Sequence, residues 1–240
     1  MPVQPGRGPL YQQVRERLVG RIADGHWQPG QPLPSEIMLA GEFGVSQGTI
    51  RKALDTLAAD NLVVRHQGKG TFVATHTPQR ELFHFFHLVG PDGARRMPVT
   101  RKLLSCRQRR AERDEAVRLK LASNAHVVEI RRLRDMAGAP AILETIVVPA
   151  KLFPGLAETA ALPNELYQLY EEGYGVTIHK ALEGIRAVGA ERDAAKLLGV
   201  EIGAPLLAVD RLAETLDGTP VELRLSLCDT REHAYLSEIV

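Results

Sequence analysis

The sequence predicts an α+β protein of two units, and three observations predict it. Residues 33–73, LPSEIMLAGEFGVSQGTIRKALDTLAADNLVVRHQGKGTFV, read as two short helices around a glycine turn, followed by a glycine-tipped hairpin. The remainder alternates strand-like and helix-like segments and contains a near-repeat. Finally, 240 residues with 44% hydrophobic and 25% charged side chains suit two globular units better than one small domain. The expected boundaries are 1–75 for the helical unit with its hairpin, 76–83 for a linker, and 84–240 for an antiparallel sheet with helices.

Each element has a local cause. Pro9 suits a helix start, where its missing N–H costs nothing, and Leu10, Val14, Leu18 and Ile22 make one apolar stripe. Gly25 and the turn-rich segment HWQPGQPLP end that helix. Ser35 offers a side-chain oxygen to cap the next one, which carries Leu39, Ala40 and Phe43 inward. Gly44 supplies a left-handed C-terminus, and Val45 plugs the turn. Ser46 caps a third helix bearing Ile50, Ala53, Leu54 and Leu57. Residues 62–66 and 70–74 then form two strands joined across Gln67–Lys69. That layout is a winged helix-turn-helix, a shape that places a helix in the major groove of DNA.

In the second half, residues 112–149 and 191–229 align at an offset of 79, becoming 80 before a shared Gly-x-Pro turn. Glu112, Arg113, Asp114, Val128, Arg132, Leu133, Gly138 and Pro140 meet Glu191, Arg192, Asp193, Leu207, Arg211, Leu212, Gly218 and Pro220. Each copy reads helix, strand, turn, strand, and two such units are expected to pair their hairpins in one antiparallel sheet.

Charge and composition exclude several classes. No apolar run reaches the roughly 20 residues that span a bilayer. The amino-terminal MPVQPGRGPL lacks a secretory apolar stretch, so a cytoplasmic protein is expected. Cys106 and Cys228 stand far apart and read as small hydrophobes rather than metal ligands. Net charge is only +1, and residues 1–76 hold 8 basic against 6 acidic side chains. A DNA footprint must therefore come from where the charges sit, and dimerisation doubles it. A non-specific architectural binder would be far more basic.

Residues 9–73 resemble the GntR family of bacterial transcriptional regulators. The matching residues are Pro9–Tyr11, Gln13–Val14, Gly25, Pro29–Gly30, Leu33–Glu36, Phe43–Ser46, Thr49–Arg51, Ala53–Leu54, Arg65, Gly68 and Gly70–Val73. The resemblance implies double-stranded operator DNA as partner, bound by a homodimer. It places Gln47, Gly48, Thr49 and Arg51 at base edges and Ser35, Thr49 and helix-start N–H groups at phosphates. Lys69, between Gly68 and Gly70, would carry the wing tip into the minor groove. Glu36, Ser46 and Thr71 complete the candidate interface. Lys52 and Arg65 are open between phosphate contact and solvated charge. Two positions depart from the pattern: Ile37 and Gln47 stand where many relatives have arginines, so the family's usual operator does not carry over.

The second half resembles the HutC subfamily, whose effector domain, called UTRA, is similar in fold to chorismate lyase. The signatures are Ile130–Arg134, Gly138–Pro140, Glu144-Thr145, Leu152–Leu156, Leu166-Tyr167, Leu197–Val200, Pro205–Leu207 and Asp217–Glu222. The resemblance implies a ligand-responsive repressor that binds a small acidic metabolite. Arg132 and Arg134 alternate on one strand face, so their guanidiniums could converge on a carboxylate or phosphate. Arg134 and Glu144 have no copy in the repeat, whose equivalents are Ala213 and Arg224, and they rank first as ligand residues; Glu222 ranks lower. Tyr167 reads as core. The aromatic run 82–88 either lines the pocket or packs the domain's first helix, with packing the preferred reading. His84 and His87 lack a third metal ligand, and no cofactor is expected. The competing reading, an enzyme of chorismate-lyase-like fold, lacks a nucleophile–base pair.

Overall fold

A computed structural model describes residues 8–75, 85–159 and 161–237. The chain divides into two compact units, Met1–Thr75 and His76–Val240. The expected linker, 76–83, and His84 lie outside the described residues.

The first unit contains α1 (Leu10–Ala23), α2 (Glu36–Phe43), α3 (Gln47–Ala59), β1 (Val63–His66) and β2 (Gly70–Val73). The capping logic appears in the bonds. Ser35 Oγ accepts from Met38 N at 3.3 Å, Ser46 Oγ accepts from Thr49 N at 3.2 Å, and Gly44 ends α2 at φ 65°. Val14 and Leu18 of α1 are buried with Leu39, Phe43, Ile50, Leu54 and Leu57. The expected α1 stripe is narrower than the sequence spacing, because Leu10 is exposed and Ile22 only half-buried. β1 and β2 pair in antiparallel register, Val63 opposite Val73 and His66 opposite Gly70. Residues 30–33 add along β2: Leu33 N donates to Thr71 O at 2.8 Å, and Val73 N donates to Gln31 O at 2.9 Å. The wing is thus bound to the segment that leads into α2.

The second unit is built on one six-stranded antiparallel sheet. Its strands are β4 (Val99–Arg110), β5 (His126–Met136), β6 (Ala139–Pro149), β7 (Lys180–Gly189), β8 (Pro205–Glu214) and β9 (Pro220–Asp229), in the order β4-β5-β6-β9-β8-β7. Both repeats fold as helix–strand–turn–strand, with α4 (Arg113–Arg118) before β5 and α6 (Arg192–Leu198) before β8. Their inner strands, β6 and β9, join the hairpins. Thr145 lies opposite Leu225, its own counterpart at the offset of 80, so a pseudo-two-fold axis passes between them. The duplication reaches further than the sequence match, because β4 and β7 precede the two helices and form the sheet's two edges.

The two faces of the sheet are covered differently. On one, α6 packs with Leu133, Leu143 and Leu206, while Leu119 after α4 packs with Val127, Val147 and Leu223. On the other, α5 (Leu166–Tyr174) and a 3₁₀ turn (Leu156–Glu158) bring Tyr167, Tyr170, Phe153 and Leu156 onto Val128, Ile130, Ile146 and Val148. A small second sheet pairs β3 (Leu88–Val89) with β10 (Ala234–Tyr235) on the same side. Of the run expected to pack as a first helix, residues 82–84 lie outside the described residues, Phe85 is helical, and the chain is extended at residues 88–89, where Leu88 packs against Met136, Ile142 and Val209.

Candidate functional site

The DNA-facing candidates gather around one carboxylate. Glu36, in the first turn of α2, accepts from Arg51 Nη2 at 2.9 Å and from Gln47 Nε2 at 3.1 Å, and Arg65 Nη2 lies 3.6 Å away. Arg51 and Gln47 sit on the exposed first turns of α3, while Arg65 comes from β1. The Arg51 guanidinium is the main cause holding the Glu36 carboxyl below its ordinary range. Arg65 also binds Asp55 at 2.9 Å and Arg51 O at 3.3 Å, which ties the wing strand to the recognition helix. Glu36 therefore orients cations; as an anion it is a poor direct partner for phosphate. Ser35 and Ser46 spend their hydroxyls on helix caps, and the Ser46 and Thr49 hydroxyls share a bond of 2.9 Å. Lys52 turns toward α1, its Nζ 4.2 Å from the centre of the Tyr11 ring. At the wing tip Gly68 and Gly70 adopt φ of 72° and 116°, flanking an exposed Lys69 beside Thr71. Sequence reading missed one property of this surface: Ile37 and Met38 are 71% and 66% exposed. They put exposed apolar surface on the first turn of α2, next in sequence to Glu36.

The effector candidates separate into two sets. A cavity of about 40 Å³ opens on the α5-covered side of the sheet. Arg134, Glu144, Glu183, Arg211 and Arg224 line it from the sheet, with Ile142, Val209, Ser226 and Cys228 between them. The segment from Phe85 to Leu88, with Met97 and Tyr235, forms the opposite lining. The aromatic run does both things the sequence allowed: Phe85 packs in the core, and Phe86 and His87 also line the cavity.

Arg132 and Glu222 do not line this cavity. Arg132 is 1% exposed; its Nε donates to Glu144 Oε2 at 2.5 Å and its Nη1 to Asn164 O at 3.0 Å. Glu222 accepts from the Tyr167 and Tyr170 hydroxyls at 3.0 and 2.9 Å and from Arg224 Nη2 at 2.9 Å. Both are consumed by internal partners. Arg132 and Arg134 do converge on a carboxylate, but it is the chain's own Glu144.

Arg134 keeps donor capacity. Its Nη1 reaches Glu144 Oε1 at 3.3 Å and its Nη2 reaches Pro98 O at 2.7 Å, with Asn164 Oδ1 at 3.3 Å. Its Nε is buried and has no partner among the described residues. Burial, only partly offset by Glu144, pulls the Arg134 guanidinium down to about 10. Burial alone would raise the Glu144 carboxyl, yet Arg132, Arg134 and Arg224 together hold it well below the usual carboxylate range. Glu183 behaves similarly: burial is outweighed by Arg211 and by the Tyr235 hydroxyl, which donates at 2.5 Å. Burial lowers His87, whose Nδ1 is a second buried atom without a partner among the described residues.

Arg211 and Arg224 were not among the expected ligand residues: Arg211 recurs as the counterpart of Arg132, and Arg224 entered only as the residue standing at the equivalent of Glu144. Arg211 is the counterpart of Arg132, yet it lines the cavity and donates to the Phe85 carbonyl and to Tyr167 Oη. The copies diverge because different chain lies over them: Asn164 covers Arg132, and Phe85 meets Arg211. Asn164 itself carried no sequence signal. Among the described residues no group of three metal-ligating side chains occurs. No described helix is long and apolar enough to cross a membrane.

Comparison with known proteins agrees with both units. The family model of bacterial regulatory proteins of the gntR family matches residues 10–73, and the UTRA domain model matches residues 94–234. A transcriptional repressor named for the fructoselysine utilization operon of Escherichia coli (strain K12) is 29% identical, over 91% of this chain and 90% of its own length. The histidine utilization repressor of Pseudomonas putida is 29% identical, over 86% of this chain and 82% of its own. The ligand-binding domain of a GntR-family transcriptional regulator from Bordetella bronchiseptica superposes with a TM-score of 0.59 at 33% identity, covering 66% of this chain and 99% of that one. The exposed arginine at the head of α3, the glycine wing and the duplicated sheet with its buried arginines therefore have one account: the chain belongs to the GntR family of transcriptional regulators, in the HutC subfamily, whose second domain is UTRA.

Proposed function

We propose that this ligand-responsive repressor acts in the cytoplasm as a homodimer on a two-fold operator, and that a small acidic metabolite in the Arg134 cavity controls its grip on DNA. The observation that carries the effector reading is Arg134: a guanidinium 3% exposed on a residue that lines the cavity, with a buried Nε that has no partner among the described residues. A buried donor without an acceptor is costly, and an anion in the cavity supplies one. On the DNA side, Arg51 is the base- or phosphate-reading cation, held in its orientation by Glu36, with Gln47 and Thr49 beside it and Lys69 at the wing tip. Ile37 and Met38 suit contact with thymine methyl groups, which an arginine at position 37 would not make. Effector binding shifts the dimer between arrangements that fit the half-site spacing differently. We read the second domain as a binding module rather than an enzyme.

The test is a fluorescence-anisotropy titration of the full chain against DNA from upstream of its own gene, at about 150 mM salt. Specific binding that Arg51→Ala abolishes is expected. Binding indifferent to sequence, or unchanged in Arg51→Ala, overturns the reading.

A further inference from the structure

Glu36 decides which end of a neighbouring amide faces it. A carboxylate only accepts hydrogen bonds, so the contact of 3.1 Å from Gln47 is made by the amide nitrogen, Nε2, to Glu36 Oε2. The amide is thereby fixed in one of its two orientations. One N–H is spent on Glu36, and the carbonyl Oε1 with the other N–H is left for a partner. Gln47 is exposed in the first turn of α3. Arg51, one turn further on, gives its Nε and Nη2 to the same carboxylate at 3.1 and 2.9 Å, which leaves Nη1 and the second Nη2 hydrogen.

We infer that Gln47 reads an adenine in each operator half-site, and that Glu36 is the positioning residue that makes it reject guanine. The inference rests on the proposed reading of α3 as the helix that faces DNA. In the major groove adenine offers one donor, N6–H, and one acceptor, N7, and the anchored amide matches both. Guanine offers two acceptors, O6 and N7, and asks for two donors. An unanchored glutamine can turn both amide hydrogens toward them. Anchored on Glu36, Gln47 has one N–H left and sets its carbonyl oxygen against an acceptor. Cytosine and thymine each match only one of its groups. Arg51 is the complement: the donors that Glu36 leaves it suit the two acceptors of a guanine. Positions 47 and 51 stand about 6 Å apart along the helix, and base steps are about 3.4 Å, so the two bases read lie within about two steps of each other. An arginine at position 47 presents donors alone, which is why the substitution found in this chain changes the base and not only the affinity.

The test is selection from a random-sequence duplex DNA pool by the full chain at about 150 mM salt, run in parallel with Gln47→Arg and Gln47→Ala. Wild type is expected to enrich adenine at one position of each half-site. Gln47→Arg should enrich guanine at that same position, and Gln47→Ala no base there, with the other positions unchanged. Anisotropy on the selected duplex then reads the contact itself. 7-Deazaadenine at that position, which lacks the N7 acceptor, is expected to raise Kd about tenfold for wild type and to leave Gln47→Ala unmoved. In Glu36→Gln the preference for adenine over guanine is expected to fall about fivefold or more, because an amide at position 36 no longer dictates which end of Gln47 faces it. Identical sequences from wild type and both variants, a base other than adenine at the Gln47-dependent position, or indifference of wild type to 7-deazaadenine overturns the inference and leaves Gln47 a tether between α2 and α3. An undiminished adenine preference in Glu36→Gln overturns the positioning role of Glu36. If wild type enriches no sequence at all, the operator reading fails, and this inference with it.

Discussion

Both halves of this repressor build their sites from arginine and glutamate, and the two clusters work in opposite ways. Around Glu36 the cations are exposed: Arg51's side chain keeps 57% of its surface and Arg65's 38%. The carboxylate there aims guanidiniums that stay available to an outside polyanion. Around Glu144 the same pairing is buried, with side-chain exposures of 1% for Arg132 and 4% for Arg134 and Glu144. There the carboxylate neutralises the arginines, and only what it leaves over is free for a ligand. Exposed ion pairs are worth little energetically and exchange partners readily. Buried ones are expensive to break. On the proposed assignment of the two clusters, the DNA site is tuned for release and the effector site for a discrete choice between empty and filled.

The largest way to break this contrast is to remove each carboxylate. Glu144→Ala leaves two buried guanidiniums, Arg132 and Arg134, without a carboxylate and is expected to cost the effector unit about 3–5 kcal/mol, read by urea unfolding. Glu36→Ala at the exposed cluster is expected to change unfolding by less than about 1 kcal/mol while weakening operator binding. Equal losses in stability would dissolve the comparison.

Next in size is DNA binding itself. Arg51→Ala is expected to cost about 3 kcal/mol in operator affinity, enough to bring the operator down to non-specific binding at the concentrations assayed, and to lower the salt slope by about one. Lys69→Ala should weaken binding to all sequences alike, with a similar change of slope. Anisotropy titrations at several salt concentrations separate the two.

The contrast also carries a pH signature. Glu144 and Glu183 are held below their ordinary values in the fold, so their stabilisation is complete above the unfolded value of about 4.3. It is lost as pH falls below that value toward the folded ones. Acid unfolding of the effector unit should therefore steepen below about pH 4.3, and Glu144→Gln should flatten it. An acid limb identical in wild type and variant would contradict the assignment. The smallest expected effect is Ser46→Ala, which removes the α3 cap and costs about 1 kcal/mol of stability in the DNA-binding unit.

The two regions also differed in how much of them the sequence revealed. Caps, turn glycines and the wing lie within a few residues of what they bind, as Ser46 lies three from Thr49, so short patterns carried them. The cluster at Glu36 spans 15 residues to Arg51, and its members were recognisable, though not the carboxylate's role in joining them. The effector network works over longer separations: Arg211 meets Phe85 across 126 positions, and Arg134 meets Pro98 across 36. The repeat foretold the sheet and its central pairing. It misled on Arg211, because two equivalent strand positions differ only in which distant segment covers them. Arg134 and Glu144 were legible as residues without a copy, and His87 stood in the aromatic run; Asn164 and Tyr235 had no local pattern to announce them.

The central claim is that the exposed cluster grips DNA while the buried one senses an anion, and one experiment addresses both halves. Operator affinity of the full chain is measured by anisotropy, with and without propanoate as the probe anion, for wild type, Arg51→Ala and Arg134→Met. Arg51→Ala is expected to lose the operator, whereas Arg134→Met should bind it like wild type and ignore the anion that shifts wild-type affinity. If Arg134→Met loses the operator, or still responds to the anion as wild type does, the division of labour between the two clusters is wrong.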